Sequence, residues 1–167
     1  MADGGSSTII MLVTALLISS AASAVLVQEW SSTSRAIQTQ QKGLQLSEEI
    51  GIDFAGDPMM VSLSTVPNPN QIIFYIQNTG VHVMDETTLA VLIEGVNLNS
   101  ASISTSYVPA ISANWAPNVL LQVTLADASF DGFADNTEVS IYASARSVAV
   151  TGITMSASMN EEVRLDV

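Results

Sequence analysis

The fold of this chain is decided by one charge-free stretch near its amino terminus, IIMLVTALLISSAASAVLV, residues Ile9–Val27. As a helix rising about 1.5 Å per residue it would nearly match the roughly 30 Å hydrocarbon core of a bilayer. Its first half is bulky, whereas Ser19–Ala24 is made of small residues that let neighbouring helices approach closely in an apolar medium. The composition favours a helix that packs among other helices, with a plain membrane anchor as the alternative.

A secretory signal peptide is a third interpretation of the same stretch. Ala22-Ser23-Ala24 fits the small-residue motif that precedes a cleavage point. However, Met1–Ser7 contains no Lys or Arg, and the apolar run continues through Val25–Val27, beyond the expected cut. Both features favour a helix that is retained.

The helix is expected to continue past the apolar stretch. Gln28–Ile50 contains no Pro, and Trp30, Ile37 and Leu44 recur every seven residues as a thin apolar seam. Gly51 is a plausible stop, so a helix over Thr8–Ile50 would be roughly 65 Å long. No compact domain of 167 residues buries a rod of that length, so the apolar half must sit in lipid or among helices of other copies.

We therefore predict two regions: a helical region 1–51, apolar over 9–27 and amphipathic over 28–50, and a sheet region 52–167. The residues expected to pack in an assembly are Ile9, Ile10, Leu12, Val13, Leu16, Leu17, Ser20, Ala21, Ala24, Leu26, Val27, Trp30, Ile37 and Leu44.

Short apolar and β-branched runs separated by turn residues make up the rest of the chain. This texture predicts an antiparallel β-sandwich of about seven or eight strands, and the whole chain is predicted to be α+β, a long amino-terminal helix followed by that sandwich. The expected strands are Met60–Val66, Ile72–Gln77, Leu89–Glu94, Ala101–Val108, Val119–Ala126, Glu138–Ala145 and Val148–Ala157.

Charge is distributed unevenly along the chain. The chain has a net charge of −12, with four Lys and Arg against sixteen Asp and Glu. Residues 1–50 hold four acids and two cations, whereas the remainder holds twelve acids and two cations, a net of −10. So few cations exclude a nucleic-acid interface and a polybasic membrane anchor. The acidic sheet region is expected to remain solvated.

The inventory of reactive side chains predicts that the chain is not an enzyme. It has no Cys and a single His82, so thiolate sites and multi-histidine metal sites are excluded. Neither a nucleophile elbow nor a phosphate-binding loop with Lys occurs. We expect no catalytic residue and no cofactor, and we interpret His82 as a surface or half-buried structural residue.

Acidic clusters offer one weak metal candidate. Asp127, Asp131, Asp135 and Glu138 lie within twelve residues around a glycine and could bind calcium, although their spacing fails the EF-hand pattern. An acidic loop between strands is the favoured interpretation. The pairs Glu48-Glu49, Asp85-Glu86 and Glu161-Glu162 are expected to be solvated acids at helix or loop edges.

The amino-terminal third of the chain resembles mature archaellins, the filament subunits of the archaeal flagellum. The segments that carry the resemblance run without gaps and are Gly5-x-x-Thr8-Ile9-Ile10, Ala21-Ala22-x-x-Val25-Leu26-Val27, Gln40-Gln41-Lys42, Glu48-Glu49 and Gly51-Ile52-x-Phe54. The resemblance implies a type IV pilin-like architecture, in which the helix lies in a filament core and a β-sandwich faces outward.

Other segments resemble the archaellar stator proteins G and F, which combine an uncleaved amino-terminal anchor with a β-sandwich outside the cytoplasmic membrane. These segments are Tyr75–Gly80, Leu89–Gly95 and Asn114-Trp115-Ala116-Pro117. Archaellins carry a basic leader that a dedicated peptidase removes. Met1 is therefore expected either to follow such a cleavage, in a filament subunit, or to be an initiator, in a stator.

The resemblance implies a structural role in swimming motility. A filament subunit would form a helical polymer of many copies on the cell surface, would reside in the membrane before assembly, and would contact sibling subunits and the motor or stator proteins. The stator alternative places the helix in the cytoplasmic membrane and the sandwich against the cell envelope. Arg35 and Lys42 follow the apolar stretch, which by the positive-inside rule would favour a cytoplasmic sheet domain.

Overall fold

The computed structural model describes residues 4–167 of the chain. The chain divides into two compact units, with the boundary between Leu44 and Gln45. One unbroken α-helix, α1, spans Gly4–Glu48 and contains 45 residues. The predicted long helix is confirmed, although it begins at Gly4 rather than Thr8 and ends at Glu48 rather than Ile50. It runs through Ala22–Ala24 without interruption.

Nine strands follow the helix and form one curled sheet. In chain order they are β1 (Ile52–Ala55), β2 (Val61–Ser64), β3 (Gln71–Asn78), β4 (Met84–Ile93), β5 (Val96–Asn97), β6 (Ile103–Val108), β7 (Leu120–Ala126), β8 (Glu138–Ser147) and β9 (Ser156–Asp166). Their order in the sheet is β5-β4-β8-β9-β2-β3-β7-β6, with β1 paired to β3. Two single-turn 3-10 helices, Ser100–Ser102 and Ala128–Gly132, lie in the connections.

Period-two alternation places the core on one face of the central strands. In β3, Ile72, Phe74 and Ile76 are at most 2% exposed. Their partners across the antiparallel ladder to β7 are Leu125, Val123 and Leu121, each 0% exposed. Complete burial of a side chain of this size stabilises the fold by about 1.5–3 kcal/mol. The β3–β7 pair is therefore a principal source of the sheet's stability.

The last strand closes the sheet. β9 pairs antiparallel with β8 from Ser156 to Arg164, and its end pairs parallel with β2 at Val61–Leu165 and Ser62–Asp166. The prediction of a helix followed by a β-sheet domain is confirmed. The sheet nevertheless differs from the expected antiparallel sandwich of seven or eight strands, because β9 joins both halves into one mixed sheet of nine.

One strand assignment and the placement of two acid pairs from sequence are wrong. The segment Val148–Ala157, predicted as a strand, is mostly a tight turn in which Thr151 and Gly152 have φ values of 51° and 82°. The strand begins only at Ser156. The acid pair Glu161-Glu162 lies within β9, and Asp85-Glu86 lies within β4, so neither pair is at a helix or loop edge as predicted. Ala157, Met159, Val163 and Leu165 are buried, and Glu161 stands between them in the same row, where it interrupts the apolar alternation that would have revealed β9.

Asn78, at the end of β3, organises the loop that follows. It is 0% exposed, and its Nδ2 donates to the carbonyl oxygens of His82 (2.8 Å) and Trp115 (2.9 Å). Its Oδ1 accepts from the backbone N–H of Gly80 at 3.0 Å. A buried amide with this many partners is costly to replace, because each lost bond leaves another polar group unsatisfied.

This loop crosses the chain just after α1 at close range. The N–H groups of Thr79 and Gly80 donate to the Gly51 carbonyl at 3.0 and 3.2 Å, and Val81 N–H donates to the Glu49 carbonyl at 2.8 Å. A Cβ added at Gly80 would lie 2.7–2.8 Å from backbone atoms of Glu49, Ile50 and Gly51. Gly80 is therefore required by the close approach of two backbones.

The crossing predicts a large cost for Gly80→Ala. Backbone atoms cannot yield as a side chain does, so we expect the free energy of unfolding to fall by about 1–3 kcal/mol in urea denaturation followed by Trp115 fluorescence. The matched control is Gly132→Ala, where an added Cβ has nothing within 4 Å. Equal stability of the two variants would contradict the crossing.

The helix as candidate assembly site, and the acidic loops

Within the described residues, α1 supplies one segment long and apolar enough to cross a membrane. Its best 18-residue window has a mean hydropathy of 2.4, and none of that window is buried. This is compatible with a membrane or cell-surface location. Length and composition alone support equally an anchor, a signal sequence or a helix buried by partners.

The predicted assembly residues in the bulky half of α1 are exposed on all sides of the helix. Ile9, Ile10 and Leu12 are 65%, 64% and 59% exposed, and Leu16 and Leu17 are equally accessible. Consecutive residues on a helix point about 100° apart, so this apolar surface surrounds the helix. A helix of this kind is stable in lipid or among other helices, whereas a helix lying against one domain needs an apolar stripe on one side only.

The small-residue half of α1 carries hydroxyl groups that are already satisfied. Ser20 Oγ donates to the Leu17 carbonyl and Ser23 Oγ to the Ser19 carbonyl, each at 2.9 Å. Thr14 makes the same bond to Ile10 at 2.8 Å. These hydroxyls can therefore enter an apolar medium without an unpaired donor. Close packing at Ser20, Ala21 and Ala24 would depend on their small size.

The second half of α1 presents the expected seam. Trp30, Ile37 and Leu44 are 79%, 50% and 61% exposed. Trp30 and Ile37 border a shallow apolar cleft of about 230 Å³ whose other walls are Thr33, Ser34 and Gln38. The seam is a narrow apolar contact strip on a polar helix.

The four calcium candidates do not converge on one site. Each has its own partner, with these contacts: Asp127 Oδ1 accepts from Ser129 N–H (3.0 Å) and Oγ (2.8 Å), Asp131 from Asn70 N–H (3.1 Å), Asp135 from Asn136 Nδ2 (2.8 Å), and Glu138 from Arg164 (3.3 Å). Among the described residues, no group of three Asp, Glu or His side chains is arranged to hold a metal ion. The structure thus gives these carboxylates local structural contacts in the β7–β8 connection.

Asp127 illustrates this structural role. It caps the 3-10 turn Ala128–Gly132. The backbone and side-chain hydrogen bonds from Ser129, with a further one from Ser102 (3.3 Å), hold the pKa of its carboxyl below its usual range. The cap keeps the acid ionised and fixes the turn that buries Phe130, which is 1% exposed.

His82 is half-buried, as predicted, but its partner was not anticipated. Its Nε2 lies 2.7 Å from Glu49 Oε2, which adds a polar contact to the backbone crossing at Gly80. Glu49 and His82 are thirty-three positions apart, and sequence carries no signal that joins them.

Tyr107 is a second residue that sequence reasoning did not identify. Burial, a hydrogen bond to Glu86, and the negative charges of Glu86 and Asp85 raise the pKa of Tyr107 to about 12. Ionisation of the phenol would place its negative charge near the carboxylates of Glu86 and Asp85, which disfavours the phenolate.

This environment predicts an alkaline transition. In the unfolded chain a tyrosine ionises near its usual pKa of 10.0, so the stabilisation is complete below that pH and is lost as the pH rises through about 12. We expect one late-ionising tyrosine in the 295 nm absorbance titration of the wild type, absent in Tyr107→Phe and shifted to lower pH in Glu86→Gln. An unchanged titration in both variants would contradict the Tyr107–Glu86 contact.

Among the described residues, the most extensive exposed apolar surface is that of α1. Comparison of the chain with protein-family models, with curated proteins and with solved structures found no match.

Proposed function

We propose that this chain is the structural subunit of an archaellum-type filament, polymerising through α1 for swimming motility. The observation that carries the proposal is the apolar surface over Ile9–Val27, which is exposed all around the helix. In a bundle of such helices, each bulky side chain finds apolar neighbours on every side. The resemblance of residues 5–54 to archaellins supports the same assembly.

Packing in the bundle would use the two halves of the apolar stretch differently. Relative to water, burial of each bulky side chain is worth roughly 1.5–3 kcal/mol, which the bundle supplies as lipid does. The small residues Ser19–Ala24 let helix axes come close, so that dispersion contacts between backbones add to this. Before assembly the same helix would reside in the membrane, and the bundle then takes the place of lipid.

The sheet domain would form the outer surface of the filament. Its twelve acids and two cations keep it solvated and oppose aggregation of the domain. The subunit itself catalyses nothing in this proposal, and a separate motor turns the filament. Its partners would be further copies and sibling subunits in the extracellular filament, and motor or stator proteins at the filament base.

One observation favours an alternative, an archaellar stator anchored by an uncleaved helix. Two stretches that resemble stator protein G, Tyr75–Gly80 and Asn114–Pro117, meet through the Asn78–Trp115 hydrogen bond of 2.9 Å. The two stretches that resemble stator protein G are therefore in contact with each other in the fold. Mass spectrometry of the native amino terminus separates the candidates, because a processed terminus supports the filament subunit and a retained initiator supports the stator.

Added bulk in the small-residue half should block assembly. We expect Ala22→Leu and Ser20→Phe to reduce sedimentable polymer by about tenfold or more, because close helix approach is worth at least the roughly 1.4 kcal/mol that corresponds to tenfold. The measurement is ultracentrifugation after detergent removal, with circular dichroism to show that the sheet remains folded.

The matched control is Ala15→Leu, the same substitution in the bulky half, where we expect polymer yields near wild type. If Ala22→Leu polymerises as well as Ala15→Leu, close packing at Ser19–Ala24 is not the basis of assembly.

A further inference from the structure

Arg146 is the one cation of residues 45–167 without an acidic partner among the described residues. The only other cation in this range, Arg164, contacts Glu138 at 3.3 Å. Arg146 lies on β8 with its side chain exposed, and no carboxylate stands within ion-pair distance of its guanidinium in the part of the chain that the structure describes. An unpaired guanidinium on a domain with twelve acids is unexpected on charge alone.

A bulge in the neighbouring strand explains why Arg146 is unpaired. β4 and β8 are in register at Asp85–Arg146 and again at Ala90–Ser144, so four residues of β4 face a single residue of β8. The bulged segment is fixed by Asp85, whose Oδ1 accepts from Thr87 N–H at 3.0 Å and Thr87 Oγ1 at 2.7 Å. Asp85, which faces Arg146 across the ladder, thus uses one carboxylate oxygen within its own strand and makes no ion pair with Arg146.

The same bulge opens a groove beside Arg146. Thr88 Oγ1 accepts from the Arg146 backbone N–H at 2.8 Å and thereby holds the bulge against β8. The groove has a volume of about 420 Å³ and is lined by Thr88, Ala90, Ser144, Ala145, Arg146 and Ser156. The Thr88 hydroxyl donates to the Asp85 carbonyl at 2.7 Å, so the side-chain donors that line the groove are the Arg146 guanidinium and the hydroxyls of Ser144 and Ser156. A guanidinium is suited to bind a carboxylate, because its N–H groups match the two carboxylate oxygens.

We infer that this groove binds an exposed carboxylate of a neighbouring copy of the chain. The inference rests on the proposed function, since it requires sheet domains to come side by side in a polymer. Domains of net charge −10 repel one another. Arg146 is the available cation that can offset this repulsion locally and fix the register of two domains, as charge complementarity does at other interfaces.

The test compares polymer formation by Arg146→Gln and Arg164→Gln, measured as the critical concentration for sedimentable polymer at low salt. We expect about a tenfold rise for Arg146→Gln, because a charge-assisted pair is lost, and little change for Arg164→Gln. The difference in critical concentration between the two variants should become smaller at 1 M NaCl, because the Debye length there is about 3 Å and salt screens the charge pair. Failure of the wild type itself to polymerise would instead reject the proposed function.

Zero-length cross-linking identifies the partner carboxylate. The chain has a single lysine, Lys42, so Arg146→Lys adds one amine that carbodiimide can join to a carboxylate held in the groove. We expect an intersubunit cross-linked peptide containing position 146 in polymer and none in dispersed protein. The inference is wrong if three results are found together: the wild type polymerises, Arg146→Gln polymerises equally well, and Arg146→Lys gives no such cross-linked peptide.

Discussion

The constraint on which the rest of the structure depends is the apolar surface around the first half of α1. The bulky residues of Ile9–Val27 are about half to three-quarters exposed in the described structure. Soluble monomers rarely expose a contiguous apolar surface of this size, which is compatible with a membrane anchor, a signal sequence or a helix covered by partners. The hydroxyls of Ser20 and Ser23 are satisfied within α1, which is compatible with a helix in an apolar medium. The acidity of the sheet domain is compatible with a domain in water.

The sheet domain carries a large net negative charge and must remain folded despite the repulsion between its acids. Its core relies on the β3–β7 ladder and on β9, which joins both halves of the sheet. Asn78 and Gly80 fix the loop that crosses the chain behind α1, and carboxylates such as Asp127 are used locally as turn caps. Opposite the bulge in β4, Arg146 has no ion-pair partner among the described residues, and the proposed contact between copies uses this side chain.

Much of the fold could be predicted because its signals are local in sequence. The charge-free stretch and the absence of Pro up to Ile50 predicted α1, and alternating apolar residues predicted β3, β7 and β8. β9 was missed because Glu161 occupies a position in its inward-facing row and interrupts the apolar alternation. The contacts Glu49–His82, Tyr107–Glu86 and Asn78–Trp115 join distant residues, so only the folded chain reveals them.

The central claim is that other copies of α1, and not lipid alone, cover its apolar surface. Trp30 reports on this directly, because it is 79% exposed whereas the other tryptophan, Trp115, is 0% exposed and serves as an internal reference. Acrylamide quenching before and after polymerisation in the absence of lipid and detergent is the decisive measurement. We expect acrylamide to quench Trp30 less in the polymer than in dispersed protein. Equal quenching of Trp30 in both states would show that other copies of α1 do not cover this helix.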